Sequence, residues 1–72
     1  MSDWIAEVFT EYEQEVIADY ARKHSLKYHP FLVDLALAVS NLSRLRAKAY
    51  GIQIENGLSH DAFKQLLIKA LK

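Results

Sequence analysis

The stretch FLVDLALAV, residues 31–39, decides the fold class, because eight of its nine residues are apolar and Asp34 is its single charge. Phe31, Leu35 and Val39 recur at four-residue steps, which is the period of one helix face. Val33 and Leu37 point to another side of the same helix. The stretch therefore predicts a helix that has one face in the core and a second apolar side that needs a partner outside the monomer.

Helix signals flank this stretch on both sides. Pro30 suits the first position of a helix, where its missing amide hydrogen would be unpaired anyway. Gly51 can adopt the left-handed conformation that ends many helices. We expect a helix from Pro30 to Tyr50, the second along the chain. Its buried face is predicted to carry Phe31, Leu35, Val39, Leu42, Leu45 and Ala49.

Helices are also predicted on either side of this one. The first should run from a Ser2 cap to about His24, and the third should begin after a Ser59 cap. The loop before Ser59 is expected to place Ile52 and Ile54 in the core. The first helix is expected to bury Ile5, Val8, Phe9, Tyr12, Val16 and Tyr20, and the third Phe63, Leu66, Leu67, Ala70 and Leu71.

These elements predict an all-α, small three-helix domain that spans residues 1–72. Two long helices would form an antiparallel hairpin, and the shorter third helix would pack across one end. A chain of this size buries only about 60% of its unfolded surface. It contains no cysteine, so disulfides cannot stabilise it. We therefore expect support from self-association, most simply as a dimer, with Val33 and Leu37 in the interface.

The charge balance limits the partners. Nine basic residues balance nine acidic ones, so no net field draws the chain to nucleic acid or to an anionic membrane. The N-terminus lacks a basic segment followed by an apolar one, and no apolar run is long enough to span a bilayer. We expect a cytoplasmic protein without a membrane partner.

Four acids, Glu7, Glu11, Glu15 and Asp19, are spaced four residues apart and would stack along one side of the first helix. Two interpretations remain open, and the first is favoured. The column can form an ion-pair seam with the second helix, in which Glu11 is level with Arg44 and Glu7 with Lys48. Alternatively, it is a docking strip for a basic region of another protein. In that case the binding residues are Trp4, Glu7, Glu11 and Glu15, with the indole as an aromatic anchor.

DNA binding is the alternative function. The order Ala47, Gly51, Ile52 is typical of the turn of a helix-turn-helix motif. Such a regulator would have a degenerate motif at residues 44–63 and would bind nucleic acid through Arg44, Arg46 and Lys48. Two observations disfavour this function. Residues 53–58 separate the turn from the next helix, and Asp61 in that helix's first turn would repel phosphates. Arg46 is instead expected to pair with an acid of the first helix or of a second subunit.

No catalytic chemistry is indicated. The three histidines lie at helix boundaries without metal-ligand spacing, no serine has an adjacent histidine, and the two glycines form no phosphate-binding loop. We therefore predict no catalytic residue, no cofactor and no metal site. The sequence favours a small helical protein-interaction or regulatory module that is not an enzyme and acts as a homo-oligomer.

Overall fold

The computed structural model describes residues 4–72, and every regular element in that range is a helix. The helices are α1 (Trp4–Val8), α2 (Glu11–Lys23), α3 (Tyr28–Asn41), α4 (Arg44–Lys48) and α5 (His60–Leu71). The predicted all-α class is confirmed. The described residues form five helices rather than three, because both long predicted helices are interrupted. The predicted Ser2 cap lies outside the described residues.

The first interruption lies at Phe9 and Thr10, so the predicted continuous helix to His24 is wrong. Thr10 caps α2 through a reciprocal pair of hydrogen bonds with Glu13. The Glu13 amide donates to Thr10 Oγ1 at 3.2 Å, and the Thr10 amide donates to Glu13 Oε1 at 2.8 Å. This capping box satisfies two amide groups that a helix start would otherwise leave unpaired. The break turns Phe9 into the core, where it is fully buried.

The second interruption lies at Leu42 and Ser43, so the predicted helix from Pro30 to Tyr50 is also wrong. α3 begins at Tyr28, which places Pro30 within the first turn, where a missing amide hydrogen is tolerated. Leu42 adopts the left-handed conformation, with φ 50° and ψ 43°. Ser43 then caps α4 by accepting a hydrogen bond from the Arg46 amide at 3.2 Å. Gly51 has the expected positive φ, but it follows α4.

The core lies where α2, α3 and α5 meet. α2 packs against both of the other helices, while α1 and α4 pack against α3. The largest fully buried side chains come from α2, α3 and α5 and from the break after α1: Ile17, Leu35, Phe63, Leu67 and Phe9.

A largely buried ion pair joins α2 to α5. Lys64 Nζ lies 3.3 Å from Glu13 Oε1, and both side chains are mostly shielded from solvent. The same carboxylate oxygen accepts the Thr10 amide. Glu13 therefore has a hydrogen-bond partner and an opposite charge beside it, as a buried carboxylate requires.

The loop and the start of α5 agree with the sequence-based predictions. Ile52 and Ile54 are buried, and Ser59 caps α5 by accepting a hydrogen bond from the Ala62 amide at 3.2 Å. The predicted stripe of α5 is wrong at two positions, because Leu66 and Ala70 are exposed. The buried face of α5 follows Phe63, Leu67 and Leu71 at four-residue steps, which turns Leu66 and Ala70 away from the core.

Candidate functional site

The short helix α4 holds one leucine in solvent. Ala47 is its single buried residue. Leu45 is 83% exposed, which makes it the most exposed large apolar side chain among residues 4–72. The prediction that Leu45 and Leu42 lie on a buried helix face is therefore wrong. The break at Leu42 rotates α4 out of phase with α3, so the residue that would have continued the apolar face points away from the core.

Leu42 occupies a backbone conformation that leucine disfavours. Its φ of 50° places it in the left-handed region, which costs a residue with a Cβ about 1–2 kcal/mol. Leu42 is nevertheless 37% exposed. Its side chain therefore does not gain the stabilisation of complete burial, which could have offset the cost of the backbone conformation. Glycine is the usual residue at the end of a helix in this conformation. Leu42 therefore combines backbone strain with an exposed apolar side chain.

A hydrogen-bonded network fixes α4 against α3. Arg46 Nη1 donates to Asp34 Oδ1 at 3.0 Å, and the Tyr50 hydroxyl donates to Asp34 Oδ2 at 2.6 Å. The Tyr50 ring packs edge-on against Phe31, with the ring centroids 4.7 Å apart. Burial, together with the hydrogen bond to Asp34, raises the pKa of Tyr50 to about 12. The prediction for Arg46 is therefore wrong. The acid that pairs with it is Asp34 of α3, not an acid of the first helix or of a second subunit.

The phenol of Tyr50 should stabilise the fold in a pH-dependent way. Replacing Tyr50 by phenylalanine removes a hydrogen bond to a half-exposed carboxylate, so the variant should be about 1–2 kcal/mol less stable at pH 8. The raised pKa, about 12, means that the stabilisation is complete below pH about 10 and is lost as the pH rises through about 12. Urea unfolding at pH 8 and pH 11, in dilute protein, measures both effects.

Tyr28→Phe is the matched control for this experiment, because Tyr28 is exposed and its hydroxyl has no hydrogen-bond partner among the described residues. That control should change stability by less than about 0.5 kcal/mol. Equal losses in the two variants, or a Tyr50→Phe effect that does not shrink at high pH, would contradict the role of the network.

The predicted interface residues lie beside this network. Val33 and Leu37 are half-buried on the outer side of α3, and neither belongs to the core cluster or packs against it. Leu37 lies one turn beyond Asp34, and Asp34 shares a shallow depression with Leu45. The name α3–α4 surface is used below for Val33 and Leu37 of α3, Leu42 at the end of α3, and Leu45 of α4.

The predicted column of four acids does not exist as one helix face. The break at Phe9 and Thr10 leaves Trp4 and Glu7 on α1, whereas Glu11, Glu15 and Asp19 lie on α2. Glu7 lines a depression beside the start of α5. A separate groove, called the α2 groove below, is lined by Glu11, Gln14, Glu15, Ala18 and Tyr28. Binding of a partner by Trp4, Glu7, Glu11 and Glu15 stays a prediction, with the four residues divided between α1 and α2.

The predicted ion-pair seam between the first and second helices is not formed by the residues that the structure describes. Among residues 4–72 the ion pairs join Asp19 to Arg22, Asp34 to Arg46 and Glu13 to Lys64. None of them involves Glu7, Glu11 or Glu15, nor Arg44 or Lys48, and all five of these side chains are exposed. The fold therefore leaves acids of α2 and bases of α4 without partners in the part of the chain that the structure describes.

The geometry of a helix-turn-helix motif is also absent from residues 44–63. α4 ends at Lys48 and α5 begins at His60, so residues 49–59 separate two helices that such a motif joins by three or four residues. Arg46 is engaged with Asp34. Nucleic-acid binding through Arg44, Arg46 and Lys48 stays a prediction, without a DNA-reading helix pair to support it.

Leu42, Leu45 and Ala49 are exposed, although their spacing in the sequence predicted a buried helix face. The cap at Ser43 was the one local signal of a break, because serine is a preferred residue before a helix. The left-handed Leu42 had no such signal, since leucine is not expected there.

The described residues contain no group of three or more histidine, aspartate or glutamate side chains arranged to hold a metal ion. No helix between residues 4 and 72 has the length and hydropathy needed to cross a bilayer. No protein-family model, curated protein or solved structure shows significant similarity to this chain. Function is therefore inferred from its own side chains.

Proposed function

We propose that this protein is a small, non-catalytic helical interaction module that acts as a homo-oligomer, and that copies meet through the α3–α4 surface. The 83% exposure of Leu45 carries this proposal. Burying one leucine side chain contributes about 1.5–3 kcal/mol. Contact with a second copy would recover stabilisation that the fold of the monomer leaves unused.

The neighbourhood of Leu45 supports an interface more strongly than the single side chain does. Isolated apolar residues are common on protein surfaces and need no explanation. Here the exposed leucine follows a second exposed one, Leu42, that also adopts a disfavoured backbone conformation. Half-buried Val33 and Leu37 extend the apolar character along α3. Strained residues persist where the surrounding structure holds them, and they cluster at functional sites.

The α3–α4 surface is also held rigid before any partner binds. Asp34 accepts hydrogen bonds from Arg46, in the middle of α4, and from Tyr50, two residues beyond its end, which ties α4 and the turn after it to α3. Ordering a flexible segment on binding reduces affinity, so a preordered helix retains more of the energy of its contacts. Leu45 is therefore presented on a fixed element rather than on a mobile loop.

Two features favour a second copy as the partner. The chain is short and has no cysteine, and association is one of the few remaining sources of stability for such chains. It also carries surfaces of both signs, because Glu11 and Glu15 on α2, and Arg44 and Lys48 on α4, have no ion-pair partner within residues 4–72. One copy thus offers the charges that complement another.

Sedimentation equilibrium tests the proposal. The mass of the wild-type protein should rise above the 8.3 kDa of one chain as the concentration increases. A concentration series from about 10 µM to about 1 mM covers the affinities expected of a small interface. A mass of one chain throughout that series would contradict self-association.

Leu37→Glu should weaken the association at least about tenfold, because it places a carboxylate in an apolar contact. Helix content, measured by circular dichroism, should change little, since Leu37 is half-exposed and lies outside the core cluster. Leu66→Glu is the matched control, because Leu66 is an exposed leucine of α5 that lies away from the α3–α4 surface. If both variants associate as the wild type does, Leu37 does not lie in the interface.

A further inference from the structure

We propose that α4 of one copy docks against the α2 groove of a second copy. This inference rests on the proposed self-association and names the surface that faces α4 across the contact. Arg44 and Lys48 would pair with Glu11 and Glu15, and Leu45 would cover the apolar part of the groove.

The spacing of the charges matches on the two helices. Glu11 and Glu15 are four residues apart on α2, and Arg44 and Lys48 are four residues apart on α4. A helix rises about 1.5 Å per residue, so each pair repeats at about 6 Å along its helix axis. Two ion pairs can therefore form together when the two helices lie side by side.

Each helix also carries an unfavourable pair on its own. Like charges four residues apart destabilise a helix by a few tenths of a kcal/mol, about 0.2–0.5. Glu11 with Glu15 is one such pair, and Arg44 with Lys48 is the other. No ion pair within residues 4–72 offsets either of them. Docking would relieve both repulsions in a single contact.

The α2 groove also offers apolar contact. Ala18 and Tyr28 line it together with the acids, and the ring of Tyr28 is 38% exposed. Leu45 lies three residues before Lys48 on α4, a spacing at which helix side chains are neighbours, so pairing of Lys48 would bring the Leu45 side chain to the same groove. The contact would then combine an apolar centre with charged edges, as protein interfaces commonly do. Its affinity should fall as salt rises, because exposed charges are screened.

The test uses two variants with reversed charges. One carries Arg44→Glu and Lys48→Glu, and the other carries Glu11→Lys and Glu15→Lys. Each should self-associate at least about tenfold more weakly than the wild type, because like charges then face each other across the contact. An equimolar mixture should recover association, since each α4 then meets a groove of opposite charge.

Matched controls separate this docking from a general effect of net charge. Two double variants change the net charge by the same amounts at exposed positions outside the proposed contact: Lys27→Glu with Lys69→Glu, and Glu55→Lys with Asp61→Lys. Each control should associate as the wild type does. If the controls lose association as strongly, or if the reversed-charge mixture stays monomeric, the docking of α4 on the α2 groove is wrong.

The outcomes also separate this inference from the proposed function. One set of results would support the α3–α4 interface and exclude the α2 groove. In that case the wild-type protein associates, Leu45→Asp abolishes the association, and Glu11→Lys with Glu15→Lys leaves it unchanged. A wild-type protein that remains at 8.3 kDa at every concentration would overturn both proposals.

Discussion

Replacing Leu45 by aspartate should weaken self-association at least about 100-fold, which corresponds to about 2.7 kcal/mol. The substitution removes the apolar contact of a leucine and requires a carboxylate to lose water in the interface. The folded monomer should be unaffected, because this side chain is 83% exposed and contributes little to the core. Sedimentation equilibrium measures the association, and circular dichroism measures the fold.

Two precautions make the Leu45 result interpretable. Unfolding is compared in dilute protein, because association itself stabilises the folded state at high concentration. Leu66→Asp is the control, since it makes the same change at an exposed leucine of α5. Wild-type association in Leu45→Asp, or equal losses in both variants, would remove α4 from the interface.

Replacing Phe9 by alanine should have the largest effect on the fold itself. Phe9 is fully buried, and truncating a buried phenylalanine costs about 3–5 kcal/mol. Domains have about 0.05–0.15 kcal/mol of stability per residue, so a chain of 72 residues would lose much or all of its stability. Urea unfolding followed by circular dichroism should show a large loss, or an unfolded chain without denaturant.

Tyr12→Ala is the matched control for Phe9. A continuous first helix would bury both aromatic rings on one face, whereas the structure leaves Tyr12 58% exposed after the break at Thr10. The Tyr12 variant should lose no more than about 0.5 kcal/mol, as is usual for surface substitutions. Comparable losses for Phe9→Ala and Tyr12→Ala would favour the continuous helix over the break.

The parts of the fold that were predictable are those that local patterns encode. The apolar period of residues 31–39 indicated a helix, and Ser59 before an acidic first turn indicated the start of α5. The break before α2 was also encoded, because threonine three residues before Glu13 forms a capping box. It was overlooked because the apolar period continues across Phe9 and Tyr12.

The second break could not be read from the sequence in the same way. A left-handed leucine is locally unfavourable, so tertiary contacts must hold it in place. The Ser43 amide donates to the Ala38 carbonyl at 2.8 Å, which is a local hydrogen bond of the kind that closes a helix end. The tertiary contribution comes from Ala47, which is fully buried and so ties α4 to the packed fold.

The candidate site was predicted only in part for the same reason. Val33 and Leu37 were found from an excess of apolar residues, which is independent of where α3 ends. Leu45 was missed because its direction depends on the break at Leu42. The pairing of Asp34 with Arg46 was missed because it forms only when α4 turns back against α3.

The most direct measurement of self-association through the α3–α4 surface is the concentration dependence of backbone amide signals in ¹H–¹⁵N nuclear magnetic resonance spectra. We predict that the signals of Leu37, Leu42 and Leu45 shift as the concentration rises, while those of the exposed residues Gln65 and Lys69 on α5 stay in place. Spectra that do not change with concentration, or shifts confined to α5, would contradict it.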